Sequence, residues 1–178
     1  MINTNRSCPN ILVTGTPGVG KSLMSRILSE KTGLAWIDVS KFAIENKCLK
    51  EYDEVYQCPI LDEDELLDHM EGLMCDGGKI VDYHGADFFP ERWFHIVFVL
   101  RTDNTILYDR LRNRGYTGKK LEDNIGCEIF QTILEEARSA YREEIVHELT
   151  SNDLDQVTDN VNRICQWIEQ WKIDNQQE

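Results

Sequence analysis

The eight residues from Gly15 to Ser22 read GTPGVGKS and match the pattern G-x-x-x-x-G-K-[ST]. In this pattern, glycines let successive backbone N–H groups turn toward phosphate oxygens, and the following helix presents the positive end of its dipole. The lysine, here Lys21, reaches the terminal phosphates, and the Ser22 hydroxyl ligates Mg²⁺. A glycine turn that merely precedes a helix is the alternative. The motif predicts a site for a nucleoside triphosphate with Mg²⁺ as cofactor.

A second group of polar residues ends an apolar run. The stretch KIVDYHG contains Asp82 and His84, whose burial in an apolar strand would cost free energy. In phosphate-loop proteins, an acid near a neighbouring strand joins the magnesium shell, and ligands collect at the carboxyl ends of parallel strands. We therefore predict that Asp82 ligates Mg²⁺ together with Ser22. His84, on the same side of the strand, is predicted to orient a water or move a proton. A turn residue at Asp82 and an ordinary polar contact at His84 are the alternatives.

Alternating strands and helices are predicted to position these side chains. Apolar strands are expected at NILVTG, LAWIDV, KIVDYH and FHIVFVL, with a short edge strand at IVHELTS. Helical patterns are expected at residues 21–33, 62–74, 102–113, about 120–144 and in the C-terminal segment. Such alternation is typical of a parallel sheet covered on both faces. The sequence predicts one α/β domain over residues 1–178, with a parallel five-stranded sheet flanked by helices.

Two polar segments interrupt this alternation, at about residues 40–61 and 113–123. Small P-loop kinases are similar in carrying an acceptor-binding insert and an arginine-bearing lid at these two places. Arg110 and Arg114, in RLRNRGYTGKK, are predicted to close over the phosphates and stabilise the transferring charge. A solvated helix end is the alternative for both. A GTPase is disfavoured because the nearest string to N-K-x-D, NKCL, lacks the aspartate, and the chain is too short for the extra subdomains of AAA-type motors.

Charge and composition exclude further classes of protein. The chain has 19 basic and 32 acidic residues, a formal net charge of −13, so its surface should repel nucleic acid and anionic membranes. The longest apolar run, IVFVL, is too short to cross a membrane, and MINTNRSCPN lacks the apolar run of a secretory signal. Six scattered cysteines favour a reducing compartment over a metal or disulfide framework. The acidic surface fits either solubility alone or a basic partner protein.

Longer blocks of sequence resemble the adenylate kinase isoenzyme six family, also described as coilin-interacting nuclear ATPases. The blocks are NILVTGTPGVGKS, EYDEVYQCPILDED, VDYHGADFFPERWFHIVFVLRT, RLRNRGY, KKL and DNIGCEIF, which together cover most of the chain. The resemblance implies reversible phosphoryl transfer between ATP and AMP, with associated ATP hydrolysis. It also implies a role in small ribosomal subunit maturation, in the nucleus and also the cytoplasm, through a basic small-subunit ribosomal protein. We further expect a monomer without sequence-specific nucleic acid binding.

The resemblance assigns roles to individual residues. Together with Arg110, predicted above from its place in the lid, Lys21, Asp82, His84 and Arg114 form the predicted catalytic set, with Ser22 and Asp82 around Mg²⁺. The residues implied to contact ATP are Gly18, Val19, Gly20, Lys21, Ser22, Leu23 and, from the lid, Arg114.

One position departs from the family pattern. As we align the insert VSKFAIENK, the family has an arginine where this chain has Ile44. An arginine would hold the phosphate of AMP with a bidentate fork, which isoleucine cannot form; Lys41 or Lys47 offers only a point charge. Three functions therefore stay open: a nucleoside monophosphate kinase, an assembly factor whose ATP cycle remodels a protein partner, or a small-metabolite kinase.

Overall fold

The computed structural model describes residues 6–176, so the first five residues and the last two of the predicted domain lie outside the described range. The strands in chain order are β1 Ile11–Thr14, β2 Ala35–Asp38, β3 Leu49–Asp53, β4 Cys58–Leu61, β5 Lys79–Asp82, β6 Ile96–Arg101 and β7 Val146–Thr150. Within the described range, five of them form a sheet in the order β2-β5-β1-β6-β7, with every neighbouring pair parallel. The predicted parallel five-stranded sheet, including the edge strand β7, is confirmed.

Helices cover both faces of this sheet. In chain order they are α1 Lys21–Thr32, α2 Val39–Glu45, α3 Glu63–Asp76, α4 Asn104–Asn113, α5 Gly118–Ile129, α6 Thr132–Ala140 and α7 Leu154–Asn175. Alternate residues of β1 point to opposite faces, so that Leu12 packs in a core with α2, α3 and α6, while Ile11 and Val13 pack in a core with α1, α4 and α7. Among the described residues, no helix combines the length and apolar character needed to cross a membrane.

The prediction of one continuous helix at about residues 120–144 is wrong, because α5 ends at Ile129 and a separate helix, α6, begins at Thr132. Gln131 adopts a left-handed conformation with φ of 56° at this break. Leu121 of α5 packs in the core on one face of the sheet, whereas Leu134 of α6 packs in the core on the other. A straight helix could not bury both side chains, so packing against opposite faces overrides the local helical pattern.

The predicted insert at residues 40–61 is more regular than its polar sequence indicates. It contains most of α2 and an antiparallel hairpin of β3 and β4, which forms a sheet of its own. Asp53 stabilises the hairpin turn, because its Oδ1 accepts hydrogen bonds from the backbone N–H groups of Val55 at 2.9 Å and Tyr56 at 3.0 Å. The predicted lid at 113–123 comprises the end of α4, a short loop and the start of α5. Acceptor binding by the insert stays a prediction.

Candidate functional site

The phosphate loop connects the end of β1 to the start of α1 and packs tightly against its surroundings. Gly15 and Gly18 have φ values of 141° and 94°, which favour glycine. A Cβ on Gly15 would lie 2.7 Å from the carbonyl oxygen of Leu100, and one on Gly18 would lie 2.9 Å from Cδ1 of Leu107. Only glycine fits at either position. The glycines of the motif therefore press the loop onto β6 and α4 and fix its course.

Lys21 begins α1 and turns back over this loop. Its Nζ donates hydrogen bonds to the carbonyl oxygens of Gly15 at 2.9 Å and Thr16 at 3.1 Å. Part of the side chain is accessible from the cleft, yet the atoms packed around it lower the pKa of Lys21 to about 8, with Asp82 opposing the shift. The amine is therefore mostly protonated at pH 7. A phosphate beside it would favour the charged form further.

Asp82 is the last residue of β5 and lies next to the phosphate loop. Its side chain is 4% exposed, and its Oδ2 accepts a hydrogen bond from Trp36 Nε1 at 3.3 Å. Burial raises the pKa of Asp82, while Lys21 and Ser22 act in the opposite direction by favouring the carboxylate. Asp82 and Lys21 therefore form one electrostatic unit at the carboxyl end of the sheet.

Asp38 is a candidate site residue that sequence reasoning missed. It ends β2 directly beside Asp82 in the parallel register and lines the same cleft. It also begins α2, because its Oδ1 accepts a hydrogen bond from the backbone N–H of Lys41 at 3.2 Å. The signal was available, since the rule that selected Asp82, an acid at the carboxyl end of a parallel strand, applies equally to Asp38.

The oxygen donors at this edge of the sheet fit Mg²⁺ bound together with phosphate. Ser22 supplies a hydroxyl and Asp82 a carboxylate, both of which are hard ligands. Within residues 6–176, no group of three or more His, Cys, Asp or Glu side chains could hold a metal ion. Magnesium usually takes one or two protein carboxylates and completes its shell with substrate phosphates and water. The donor set therefore suits the predicted nucleotide-linked ion.

His84 follows β5 by two residues and faces the same cleft. Its ring centroid lies 4.3 Å from that of Tyr83. Although the ring remains accessible to solvent in the cleft, the surrounding protein and then Lys21 lower the pKa of His84 to about 4. The imidazole is neutral at pH 7 and can accept a hydrogen bond from water. The structure thus places Asp82 and His84 together; the role of each stays a prediction.

The two predicted lid arginines lie in different environments. Arg114, at the end of α4, lines the cleft. Arg110 instead donates from Nη2 to the carbonyl oxygen of Asn152 at 2.7 Å, and from Nη1 to those of Ser151 at 3.2 Å and Gly18 at 3.3 Å. These contacts join the phosphate loop to the segment after β7. Arg110 also lines a second cavity beside the loop, so its catalytic role stays a prediction, as does contact of Arg114 with a ligand in the cleft.

Two cavities meet at the phosphate loop. The first, which we call the phosphate cleft, has a volume of about 640 Å³ and is lined by the loop, the insert and the lid. The second, the side cavity, has a volume of about 690 Å³ and lies between the loop and the segment after β7. Both volumes are in the usual range for small-molecule sites. Four of the residues implied to contact ATP line both cavities, namely Gly18, Gly20, Leu23 and Arg114. Val19, which belongs to the same predicted set, has a fully buried side chain.

The insert and the lid touch each other across the phosphate cleft. The Tyr56 hydroxyl, from the hairpin turn, donates a hydrogen bond to Oδ2 of Asp123 in α5 at 2.8 Å. Lys119 lies 3.1 Å from the same carboxylate oxygen. Because the two partners are 67 residues apart in the chain, no local pattern could have indicated this contact. It joins the predicted insert and the predicted lid over the cleft.

Comparison with known proteins places this site in a family. A family model described as an AAA domain matches residues 11–131. The chain is 52% identical to the "Adenylate kinase isoenzyme 6 homolog" of Drosophila melanogaster, covering 92% of this chain and 94% of that protein. It is 50% identical to the homologue of the same name from Caenorhabditis elegans, covering 97% and 96%.

The fold is shared more widely. A shikimate kinase from Bacteroides thetaiotaomicron superposes with a TM-score of 0.57 at 16% identity, covering 90% of this chain and 98% of that structure. At this identity the likeness concerns the fold alone. The extent and identity of the sequence matches over nearly the whole chain decide the family: this protein belongs to the adenylate kinase isoenzyme 6 homologues.

Proposed function

We propose that this protein is a nucleotide kinase of the adenylate kinase type, which transfers the γ-phosphoryl group of ATP to AMP. One observation carries the proposal: Lys21, Asp82 and Arg114 line a single cleft, with the insert on one side and the lid on the other. The names of the homologues supply the nucleotides. A phosphoryl donor held by the loop and an acceptor under the insert would meet in this cleft.

The residues of the chain have separate tasks in this reaction. Backbone N–H groups of the phosphate loop bind the ATP phosphates, and the side cavity receives the remainder of the nucleotide. The Lys21 ammonium neutralises charge on the terminal phosphates, and Arg114 adds a second positive charge from the lid. Mg²⁺ bound at Ser22 and Asp82 would neutralise further charge on the phosphate oxygens. Closure of insert and lid would exclude water.

Product analysis tests the kinase assignment. The protein is incubated with ATP and Mg²⁺, with and without AMP, and ADP and inorganic phosphate are both measured. Two ADP formed per ATP consumed, only in the presence of AMP, is the expected result. Formation of ADP with an equal amount of inorganic phosphate, regardless of AMP, would reject phosphoryl transfer to AMP.

Affinity for AMP is expected to be low, and Ile44→Arg is expected to lower the KM for AMP. Ile44 is 62% exposed, and among the described residues the insert side chains that line the cleft, Ser40, Tyr56 and Cys58, are not basic. A charge-assisted hydrogen bond to the AMP phosphate is worth about 1.5–3 kcal/mol, or roughly a 10- to 150-fold lower KM.

The control for this prediction is Ile44→Gln, which has similar reach without the charge. Initial rates are measured over a range of AMP concentrations at saturating ATP. A KM for AMP that is equal in the arginine and glutamine variants would show that residue 44 does not face the acceptor phosphate.

ATP hydrolysis is a second candidate function, favoured by the cleft itself. The insert side chains named above provide no cation for an acceptor phosphate, while the neutral His84 can order a water near the phosphates. The assembly-factor alternative requires this hydrolysis. It is compatible with kinase activity in the same site, because both reactions use the same donor.

Replacing His84 with alanine is expected to separate the two activities. Loss of a group that orders a water typically costs about 10²–10⁴-fold, so phosphate release should fall strongly while AMP-dependent ADP formation falls less. In the protein without nucleotide the pKa of His84 is about 4, so the imidazole is neutral at pH 7 and can accept a hydrogen bond from the attacking water. Both activities are measured on one preparation from pH 5.5 to 8. Equal losses would place His84 in the shared phosphate site.

The cellular setting is a further part of the proposal. We propose that the protein acts in small ribosomal subunit maturation in the nucleus, as a monomer that contacts a basic ribosomal protein. A net charge of −13 and acidic strings such as LDEDELLD support association with a Lys/Arg-rich segment. Binding to basic ribosomal protein tails should weaken steeply as salt rises. Binding that is absent at low salt would contradict this part.

A further inference from the structure

Glu128 is a buried carboxylate that the proposed reaction does not use. It lies near the end of α5, the helix whose first turns form the lid, and its side chain is 2% exposed. Its Oε2 accepts a hydrogen bond from the Thr16 hydroxyl at 2.7 Å, and Oε1 accepts one from the backbone N–H of Thr102 at 3.3 Å. Arg101 donates from Nε to Oε1 and from Nη2 to the Glu128 carbonyl oxygen. Every partner is thus fixed by the sheet or the phosphate loop.

The partner in the loop leads directly to the candidate catalytic lysine. Thr16 is the second residue of the phosphate loop, and its side chain is held by Glu128. Its carbonyl oxygen, together with that of Gly15, accepts the hydrogen bonds of Lys21 Nζ. A displacement of Thr16 would move its carbonyl oxygen, which accepts a hydrogen bond from the Lys21 ammonium. Glu128 therefore reaches Lys21 through one intervening residue, and its negative charge also opposes the lowering of the pKa of Lys21.

The neighbouring carboxylate of the same arginine provides a contrast. Glu148 lies 3.4 Å from Nη1 of Arg101, but its side chain is 45% exposed and it stands on the edge strand β7. Exposed ion pairs contribute little to stability, whereas a buried carboxylate that accepts several hydrogen bonds fixes the position of its donors. Arg101 thus joins two carboxylates, of which Glu128 is the one bonded to the phosphate loop.

We propose that Glu128 is a positioning residue: by holding Thr16, it keeps the Lys21 ammonium in place and ties that placement to the lid helix. This inference rests on the proposed function, because it takes Lys21 to stabilise the transferring phosphoryl group. The lid helix α5 and the phosphate loop are then coupled through the side chain of Glu128. A small error in the position of a reacting group can cost about 10²-fold in rate, so the effect should be visible in kcat.

The test is a double-mutant cycle on the full chain with Glu128→Gln and Thr16→Val. Valine keeps the branched shape of threonine and replaces the hydroxyl by a methyl group, which cannot donate a hydrogen bond. Each single variant is expected to lower kcat for ATP consumption by about 10- to 100-fold, with a KM for ATP within about threefold of wild type, since the loop N–H groups remain. Thr16→Val removes the donor of this hydrogen bond and Glu128→Gln removes its charged acceptor. Because both changes act on the same contact, the double variant should be no slower than the slower single variant.

Glu148→Gln is the matched control, since it removes the other carboxylate of Arg101 without touching the loop; its kcat should stay within about twofold of wild type. A kcat of Thr16→Val close to wild type, or losses that multiply in the double variant, would overturn the proposal. If Glu128→Gln does not fold, because it loses the buried ion pair with Arg101, the comparison of Thr16→Val with Glu148→Gln tests the proposal by itself. Total ATP consumption is the readout, so a wild type that only hydrolyses ATP would reject the kinase assignment and still test Glu128.

Discussion

The Lys21→Ala variant is expected to lose at least about 100-fold in kcat for both AMP-dependent transfer and hydrolysis, while remaining folded. Removing one preorganised electrostatic contact to the transferring charge typically costs roughly 3 kcal/mol or more of transition-state stabilisation. Lys21 lies within the phosphate cleft beside Asp82, and its pKa of about 8 leaves most of the amine charged at pH 7. Its two hydrogen bonds to loop carbonyls hold the ammonium over the phosphate loop.

The fold should tolerate this change, because the charged amine lies among protein atoms that disfavour it. The loss of two hydrogen bonds and of the charge beside Asp82 acts in the opposite direction, so thermal unfolding should occur near the temperature of the wild type. Lys31→Ala is a suitable control, since Lys31 lies on the same helix, is exposed, and donates a hydrogen bond to Oδ1 of Asn162 at 3.2 Å on the surface. Turnover of a folded Lys21→Ala within a few-fold of wild type would remove the phosphate loop from the chemistry.

The second large effect is expected for Asp82→Asn. Asparagine preserves the volume and can still accept the hydrogen bond from Trp36, but it removes the negative charge that faces Lys21 and suits Mg²⁺. Both phosphoryl transfer and hydrolysis should fall by roughly 100-fold or more, because each depends on the same charge arrangement at the phosphates. Unlike His84→Ala, this variant should not separate the two activities.

Two measurements accompany the activities of Asp82→Asn. Calorimetric binding of ADP should be strengthened by Mg²⁺ in the wild type and not in the variant, whereas binding without Mg²⁺ should be retained. Because burial raises the pKa of Asp82, its ionised form is disfavoured in the fold, so the neutral amide should leave the unfolding temperature unchanged or higher. Asp159→Asn, an exposed change on α7, serves as the control. Unaltered dependence of ADP binding on Mg²⁺ would contradict the metal role.

The local parts of the site could be predicted because their causes lie within a few residues. The course of the phosphate loop follows from glycines at positions with positive φ, placed between an apolar strand and a helix. The position of Asp82 follows from the alternation of β5 and from the rule that parallel strands end at one edge. Asp38 obeys the same rule and was overlooked, although the information was present.

The remaining parts were decided by contacts between residues far apart in the chain. The break at Gln131 arises because the helices on either side pack on opposite faces of the sheet. The hydrogen bonds of Arg110 to Asn152 and of Tyr56 to Asp123 join segments that no local pattern relates. Local sequence can predict which residues are able to bind phosphate.

The environment of each candidate site residue depends on tertiary packing. The charge state of a side chain such as His84 depends on how completely neighbouring atoms remove water from it, and the freedom of an arginine depends on which carbonyls are already within reach. Local patterns therefore predict the parallel sheet, the phosphate loop and the acid at its side. The packing of remote elements places Arg114 rather than Arg110 at the phosphate cleft, and Glu128 against the loop. Both outcomes follow from distances that the fold sets between elements remote in sequence.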